Sequence, residues 1–171
     1  MSGFLRCAVM IAATVSTGLV AGLFSAFSIA VMPGLGKVDD RGFVATMQSV
    51  NRVILNGWFL VAFVGTLVFA AAAALLNLDS DRRPVLLWVV AAFALSLATW
   101  IITAVVNVPL NNELEAAGNP DQIQDLAAVR QRFEAVWVRW NVVRSLTSTA
   151  AFGCLVWALV LYGRVTGRAG T

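Results

Sequence analysis

Four long apolar stretches without a charged side chain dominate the pattern of hydrophobic and polar positions along this chain. They cover residues 7–36, 53–78, 84–112 and 145–163. Each stretch exceeds the roughly 18 apolar residues that mark a candidate membrane-spanning helix. The pattern therefore predicts an all-α fold, a four-helix transmembrane bundle that forms a single integral membrane domain over residues 1–171. The predicted spans lie at about residues 5–32, 53–76, 84–107 and 144–163.

Spans two and four are predicted to be preceded by helical extensions on the same membrane face. No proline lies between Asp40 and Leu76, so we expect a continuous helix whose first turns, about residues 40–52, stand outside the bilayer. Such a helix would be about 55 Å long, well beyond the roughly 30 Å of a hydrocarbon core. Apolar residues with helical spacing predict the second extension at about residues 120–143.

Prolines are expected to end spans one and three. Pro33 directly follows Met32, and Pro109 lies two residues after Asn107. A proline inside a helix removes one backbone hydrogen bond, and its ring clashes with the preceding turn. We therefore expect the first span to stop near Met32 and the third near Asn107.

The composition excludes several classes of protein. Hydrophobic residues make up 60% of the chain and charged residues only 12%, whereas soluble domains carry about 25% charged residues. A small soluble domain could not bury so much apolar surface. The basic residues flank the apolar stretches, which is typical of membrane proteins rather than of nucleic-acid binders. We therefore expect membrane lipids, and no nucleic acid, as partners.

The N-terminal apolar run is about twice as long as the apolar core of a signal peptide, so we expect an uncleaved first span. Four spans bring both termini to one membrane face. The density of basic residues in the short segments at that face favours cytoplasmic termini. We expect a location in the plasma membrane. The raw number of basic residues points the other way, because the opposite face carries the longer loops.

The chain contains no histidine, which removes the commonest metal ligand and proton shuttle. We predict neither a metal site nor a cofactor. Cys7 and Cys154 lie in apolar stretches, and we interpret them as small packing residues. Gly18 and Gly22 form a GxxxG pattern, which serves either packing inside the bundle or a homo-oligomer.

Polar residues near the ends of spans two, three and four form the informative constellation, and all fall on the face opposite the termini. Helical spacing places several of them on shared stripes. In chain order they are Gln48, Asn51, Arg52 and Asn56, then Asn107 and Asn111, then Glu134, Trp137, Trp140, Asn141 and Arg144.

These residue types suit a flat aromatic ligand that carries oxygen atoms. Arginine holds planar anions and keeps its charge when dehydrated. Asparagine offers both a donor and an acceptor, and tryptophan offers a flat apolar face. Each residue also has a plain structural interpretation, because tryptophan anchors membrane boundaries, arginine reaches to lipid headgroups and asparagine caps helices.

Four segments with recognisable motifs occur over about residues 20–160. In chain order they are FSIAVMPGL, MQSVNRVILNGWF, NVPLNNEL and WNVVRSL. Their order and spacing resemble the DUF1772 family, also called the anthrone oxygenase family. The resemblance implies a small four-helix membrane protein. For fungal members in polyketide pathways it implies the oxidation of anthrones to anthraquinones with molecular oxygen. No cofactor is established as general to the family.

The resemblance also assigns residues to family motifs. The first motif has Gln48, Asn51, Arg52 and Asn56; the second has Asn107, Pro109 and Asn111; the third has Trp140, Asn141 and Arg144. The third motif commonly reads W-N-H-V-R, and this chain has Val142 in place of the histidine. A catalytic role of that histidine would be lost here.

Three hypotheses follow for the function. The first is a cofactor-free oxygenase that converts a hydrophobic phenolic polycycle to a quinone, with Arg144, Arg52 and Glu134 as catalytic residues. The asparagines, Gln48 and both tryptophans would then bind the substrate. The proton would go either to Glu134, as the one carboxylate on a stripe, or to no protein group. The second is a non-catalytic protein that binds a lipid, a quinone or a partner, or a transporter component. The third is an assembly module that acts through the GxxxG pattern.

Overall fold

The computed structural model describes residues 3–168, and all their side chains except those at positions 80 and 168. Residues 1–2 and 169–171 of the predicted domain lie outside this part. The described residues are all-helical and contain no strand, as the sequence predicts. The five helices are α1 (Gly3–Leu35), α2 (Asp40–Val53), α3 (Gly57–Leu76), α4 (Arg83–Ala116) and α5 (Leu126–Arg168).

Helices α1, α3, α4 and α5 form an up-and-down bundle. α1 packs against α3 and α5, and α4 packs against the same two helices, so the order around the bundle is α1, α3, α4, α5. The Tyr162 hydroxyl donates to the carbonyl of Gly3 over 3.0 Å, which places the start of α1 beside the last turns of α5. We call this the terminal end, and the opposite end, which α2 covers, the α2 end.

The four bundle helices are each long and apolar enough to cross a membrane. Their outward faces carry exposed apolar side chains such as Leu19, Val61, Leu87 and Leu146. Exposed apolar surface of this extent requires lipid rather than water around the bundle. The chain is therefore an integral membrane protein. Its location in the plasma membrane and its cytoplasmic termini stay predictions.

Pro33 and Pro109 both lie inside helices, so the expectation that the first and third long helices end at these prolines is wrong. A π-helical turn at Phe27–Val31 precedes Pro33, and a second at Thr103–Asn107 precedes Pro109. A π turn inserts one extra residue into the helix. This insertion takes up the hydrogen-bond gap and the ring clash that a proline creates. α1 and α4 consequently continue beyond their prolines.

The predicted unbroken helix from Asp40 to Leu76 is also wrong, because the helix breaks after Val53. Asn56 has an extended backbone, and its side-chain oxygen accepts a hydrogen bond from the amide of Phe59 over 3.1 Å. This is the N-cap arrangement that starts a new helix. α2 therefore lies across the α2 end, and α3 begins separately.

Close contacts between helices depend on two glycines in the bundle. A Cβ atom at Gly65 would lie 2.8 Å from the hydroxyl of Ser16, and one at Gly18 would lie 2.9 Å from the ring of Phe152. α3 and α5 thus approach α1 at these positions. A Cβ atom at Gly22 would have open space around it to 4 Å. The two glycines of the GxxxG pattern, Gly18 and Gly22, therefore differ in role.

We expect the Gly18→Leu substitution to destabilise the bundle, because the new side chain would overlap Phe152. Overpacking of this kind costs about 1–3 kcal/mol. The measurement is the midpoint of thermal unfolding in detergent, and Gly22→Leu is the matched control on the same helix. Equal midpoints for the two variants would contradict the assignment. A loss of cross-linked dimers in Gly22→Leu alone would support a homo-oligomer through this face.

Candidate functional site

A pocket at the α2 end lies where all five helices meet. Its cavity volume is about 90 Å³, below the roughly 300–1,000 Å³ of sites that enclose a whole small molecule, so a larger ligand would extend out through its open mouth. Its apolar wall includes Leu23, Phe24, Phe27, Ile54, Phe59 and Trp137. Its polar lining consists of Asn51, Thr103, Asn111, Asn141 and Arg144. We call it the Arg144 pocket.

The guanidinium of Arg144 is the charged group of this pocket. Arg144 is only 5% exposed, and its guanidinium carbon lies 4.3 Å from the ring centre of Phe24 and 5.3 Å from that of Trp137. Aromatic faces attract a cation through the ring quadrupole, most strongly where water is excluded. No carboxylate among the described residues forms an ion pair with Arg144. The positive charge is therefore held by rings and neutral dipoles.

Asn141 holds Arg144 in place. Its side-chain oxygen accepts a hydrogen bond from Arg144 over 2.8 Å. Its amide group donates to the carbonyl of Phe24 over 3.0 Å and to the hydroxyl of Ser28 over 2.8 Å. Asn141 is 1% exposed. Both ends of this side chain are thus used by the protein itself, so its geometry suits the positioning of Arg144 better than contact with a ligand.

Both π turns supply partners to this network. Ser28 belongs to the first π turn, and its hydroxyl lies 2.9 Å from that of Ser145. Thr103 begins the second π turn, and its hydroxyl accepts a long hydrogen bond of 3.4 Å from Arg144. π turns occur frequently at functional sites. The two prolines therefore help to shape the pocket through the turns that precede them.

A tryptophan and several phenylalanines supply the aromatic surface of the pocket. The indole N–H of Trp137 donates to the side-chain oxygen of Asn111 over 2.8 Å, and its ring packs 5.9 Å from that of Phe27. Phe59 stacks on Phe63 with ring centres 5.2 Å apart. These flat surfaces fit an aromatic ligand, because offset stacking is the favoured geometry between rings.

Three side chains around the pocket carry buried polar atoms without a hydrogen-bond partner. They are the Nε of Arg144, the Nδ2 of Asn51 and both amide atoms of Asn107. Arg144 and Asn51 line the pocket, and both of their unpartnered atoms are donors. A buried donor without an acceptor is costly, so a ligand oxygen at these atoms would be bound favourably.

The structure brings five of the eleven predicted site residues to the pocket lining, namely Asn51, Asn111, Trp137, Asn141 and Arg144. Asn107 lies buried in the second π turn, outside the lining. Trp140 is half-buried and lies outside the lining as well. Asn56 is exposed and caps α3.

The remaining three residues make contacts within the protein, away from the pocket. Gln48 is buried and donates to the carbonyls of Leu114 and Gly118 over 2.9 and 3.0 Å, which joins α2 to the end of α4. Arg52 is exposed and pairs with Glu115 over 2.7 Å.

Glu134, one of the two alternatives considered for the general base, pairs with an arginine other than Arg144. Its carboxylate accepts a hydrogen bond from Arg130 over 2.6 Å. Arg130 also pairs with Asp40 and donates to the carbonyl of Val38. These contacts of Arg130 therefore connect the α1–α2 link and the start of α2 to α5. Glu134 does not line the pocket.

Sequence reasoning missed the residues that complete the pocket, namely Phe24, Phe27, Phe59 and Thr103. The two phenylalanines of α1 lie in an apolar run where nothing distinguishes a pocket wall from a lipid-facing residue. The proline two residues after each π turn was the available signal for Phe27 and Thr103. No group of three or more His, Cys, Asp or Glu side chains lies together in the described part of the chain.

Fold and pocket together define a class, a four-span membrane protein with a cationic, aromatic-walled pocket at one end. A model of the anthrone oxygenase family matches residues 58–154. The match covers more than half of the chain, so the chain belongs to the anthrone oxygenase family, DUF1772. This confirms the resemblance. No curated protein and no solved structure matches the chain. The matched region contains Asn111, Trp137, Asn141 and Arg144 but begins after Asn51.

Val142, which replaces the usual family histidine, does not line the pocket. It is 41% exposed on the outer surface of α5, whereas its neighbour Asn141 points inward. A histidine at this position would share the outward direction, because successive helical residues point about 100° apart. The replacement therefore removes no group from the Arg144 pocket.

We expect Asn141→Ala to destabilise the bundle, because it removes the hydrogen bonds of Asn141 to the Phe24 carbonyl and Ser28 and deprives the buried Arg144 guanidinium of its shortest hydrogen bond. An unsatisfied buried polar group costs about 1–3 kcal/mol. The measurement is unfolding by denaturant in detergent. Asn112→Ala is the control, since Asn112 is exposed on α4 and surface changes stay within about 0.5 kcal/mol. Equal stabilities for the two variants would refute the positioning role of Asn141.

Proposed function

We propose that this chain is a membrane oxygenase, which binds a flat, oxygen-bearing aromatic molecule in the Arg144 pocket and oxidises it to a quinone with molecular oxygen. Membership of the anthrone oxygenase family supports the reaction class. The observation that carries the proposal is the guanidinium of Arg144, which is buried between aromatic rings without a carboxylate partner among the described residues. This arrangement suits an enolate or phenolate oxygen.

The reaction proposed for an anthrone balances without a further reactant. Loss of a benzylic proton gives an enolate, and its carbon adds O2 to form a hydroperoxide. The second hydrogen on this carbon then leaves as a proton while the O–O bond breaks and hydroxide departs. One oxygen atom forms the new carbonyl group and the other forms water. The carbon is oxidised and O2 is reduced, so no added cofactor is required.

Each pocket group has a defined part in this proposal. Arg144 would stabilise the negative oxygen, and the free amide donor of Asn51 would hold the same oxygen or a neighbouring one. The rings of Phe27, Phe59 and Trp137 would hold the polycycle and exclude water. Exclusion of water strengthens the interaction between the oxygen and Arg144.

Entry of the substrate from the bilayer is part of the same proposal. Among the residues that line the pocket, Leu55 and Val108 are exposed and apolar. Val53 and Trp58, which flank the break between α2 and α3, are exposed as well. An apolar rim of this kind favours a hydrophobic molecule that arrives dissolved in lipid.

We expect Arg144→Gln to lower the rate of quinone formation by roughly 10²–10³-fold, the usual effect of removing an oxyanion donor. The assay follows O2 uptake and quinone absorbance with an anthrone and the protein in lipid nanodiscs. Arg139→Gln is the matched control, since Arg139 is exposed on the same helix and does not line the pocket. Repetition with a chelator tests the absence of a metal cofactor.

Two results of this assay would contradict the proposal. A rate in the wild-type protein equal to that in empty nanodiscs would favour a non-catalytic binding protein. Equal rates in Arg144→Gln and Arg139→Gln would remove Arg144 from the site. Unfolding of Arg144→Gln would be recognised by circular dichroism. Arg144→Lys, which keeps the charge, would then test the role of the cation.

We expect Val142→His to leave the rate of quinone formation nearly unchanged, because the new imidazole would lie on the outer surface of α5. A general base in contact with the substrate contributes about 10²–10⁴-fold. The measurement is the same oxygen-uptake assay, run between about pH 5 and pH 8, the range in which imidazole titrates. A gain of this size that follows the ionisation of one group would show that the outer face of α5 takes part in catalysis.

A further inference from the structure

We propose that the Arg144 pocket binds its ligand as an anion, whose proton is lost to solvent rather than to a side chain of the protein. The inference rests on the proposed function for the location of the ligand, but not for its oxidation. It follows from two features of the described residues: where the carboxylates lie, and which groups line the pocket.

The carboxylates of the elements around the pocket are engaged elsewhere. On α4, Glu115 pairs with Arg52 and Glu113 with Arg132. On α5, Glu134 pairs with Arg130, and so does Asp40 of α2. The sequences of α1 and α3 contain no acidic residue. The pocket therefore receives no negative charge from any helix that lines it.

The other acidic residues lie in links or at helix starts. Asp39 and Asp125 cap helices by accepting from Gly42 and Ala128. Asp121 pairs with Arg41 in the α4–α5 link. Asp79 and Asp81 belong to the link between α3 and α4 at the terminal end, where Asp79 pairs with Arg6 and Arg82. A counter-charge for Arg144 consequently has to come from the ligand.

The pocket also lacks a side chain that could accept a proton near neutral pH. Its polar lining consists of three carboxamides, one hydroxyl, one indole and one guanidinium. The chain has no histidine. Its one tyrosine, Tyr162, donates to Gly3 at the terminal end, and its one lysine, Lys37, is exposed in the α1–α2 link.

A single buried cation without a base has a definite effect on an ionisable ligand. An opposite charge within about 4–6 Å lowers the pKa of an acid by about 1–3 units. The bound phenol or enol would therefore ionise at lower pH than the free molecule. Between the two pKa values the free ligand is neutral and the bound ligand is an anion. In this range the dissociation constant of the ligand falls about tenfold for each unit by which the pH rises. It levels off above the pKa of the free ligand.

The test uses 1,8-dihydroxyanthraquinone, a flat phenol whose visible absorption shifts on ionisation and which needs no oxidation. We would titrate it with pH in the presence of the protein in phosphatidylcholine nanodiscs, and in empty nanodiscs. We expect the apparent pKa of the bound probe to lie at least about one unit below that of the free probe. The O-methylated analogue, which has the same flat shape but no acidic proton, should bind more weakly and without pH dependence.

Variants assign the effect to Arg144. Arg144→Gln should abolish the lowering of the pKa, whereas Arg139→Gln, on the exposed side of the same helix, should retain it. Arg144→Lys should retain at least part of the lowering of the pKa, because the lysine keeps a cation in the pocket. This variant replaces Arg144→Gln in the test if Arg144→Gln fails to fold.

Three results would overturn the inference: no binding of the probe to the wild-type protein, an unchanged or raised pKa in the bound state, or the same lowering in Arg144→Gln. Its failure is distinguishable from failure of the proposed oxygenase. A lowered pKa without any oxidation of anthrones would overturn only the oxygenase. Oxidation of anthrones without a lowered pKa would overturn only the selection of the anion.

Discussion

The burial of one guanidinium without a carboxylate is the constraint on which the rest of the α2 end depends. A buried charge that lacks a counter-ion is costly, so the surrounding chain must solvate Arg144 by other means. It does so with the Asn141 side-chain oxygen, the rings of Phe24 and Trp137 and a long contact to Thr103. None of these groups neutralises the charge. These neutral groups stabilise the positive charge less than a carboxylate would. The arrangement therefore suits a site in which the ligand supplies the negative charge.

Backbone irregularities supply the partners that this arrangement needs. In a bundle of regular helices, each helix would keep the same face toward its neighbours along its whole length. Two π turns, at Phe27–Val31 and Thr103–Asn107, and the break between α2 and α3 change these faces at the level of Arg144. Each π turn precedes a proline and contributes one hydroxyl, from Ser28 or Thr103, to the Asn141–Arg144 network. The terminal end, which has no proline-linked π turn among its described residues, is instead a plain apolar core around Met10, Val89 and Leu155.

The carboxylates show why shared helical stripes were an incomplete guide to the site. Glu134, Asn141 and Arg144 lie on one stripe of α5, and helical spacing alone treats them as one group. Arg130 is one turn before Glu134 and takes its carboxylate, together with Asp40 from α2. Arg52 and Asn56 are four residues apart and would share one stripe of an unbroken helix, but the N-cap at Asn56 separates them. A local pattern could predict which residues face one direction, but it could not predict which partner a charge would find there.

By itself, the sequence determined the class of the protein and the end of the bundle that carries its polar residues. Four apolar stretches of membrane-spanning length leave few alternatives to a helical bundle in lipid, because backbone polar groups must be satisfied within each span. The family motifs likewise lie in local sequence. The tertiary structure alone decided that Asn51, Asn111, Trp137, Asn141 and Arg144 converge on one pocket, that Gln48, Arg52 and Glu134 make other contacts, and that Val142 faces outward. These outcomes depend on how five helices cross and where two of them take an extra residue, and contacts between residues so distant in sequence have no local signal.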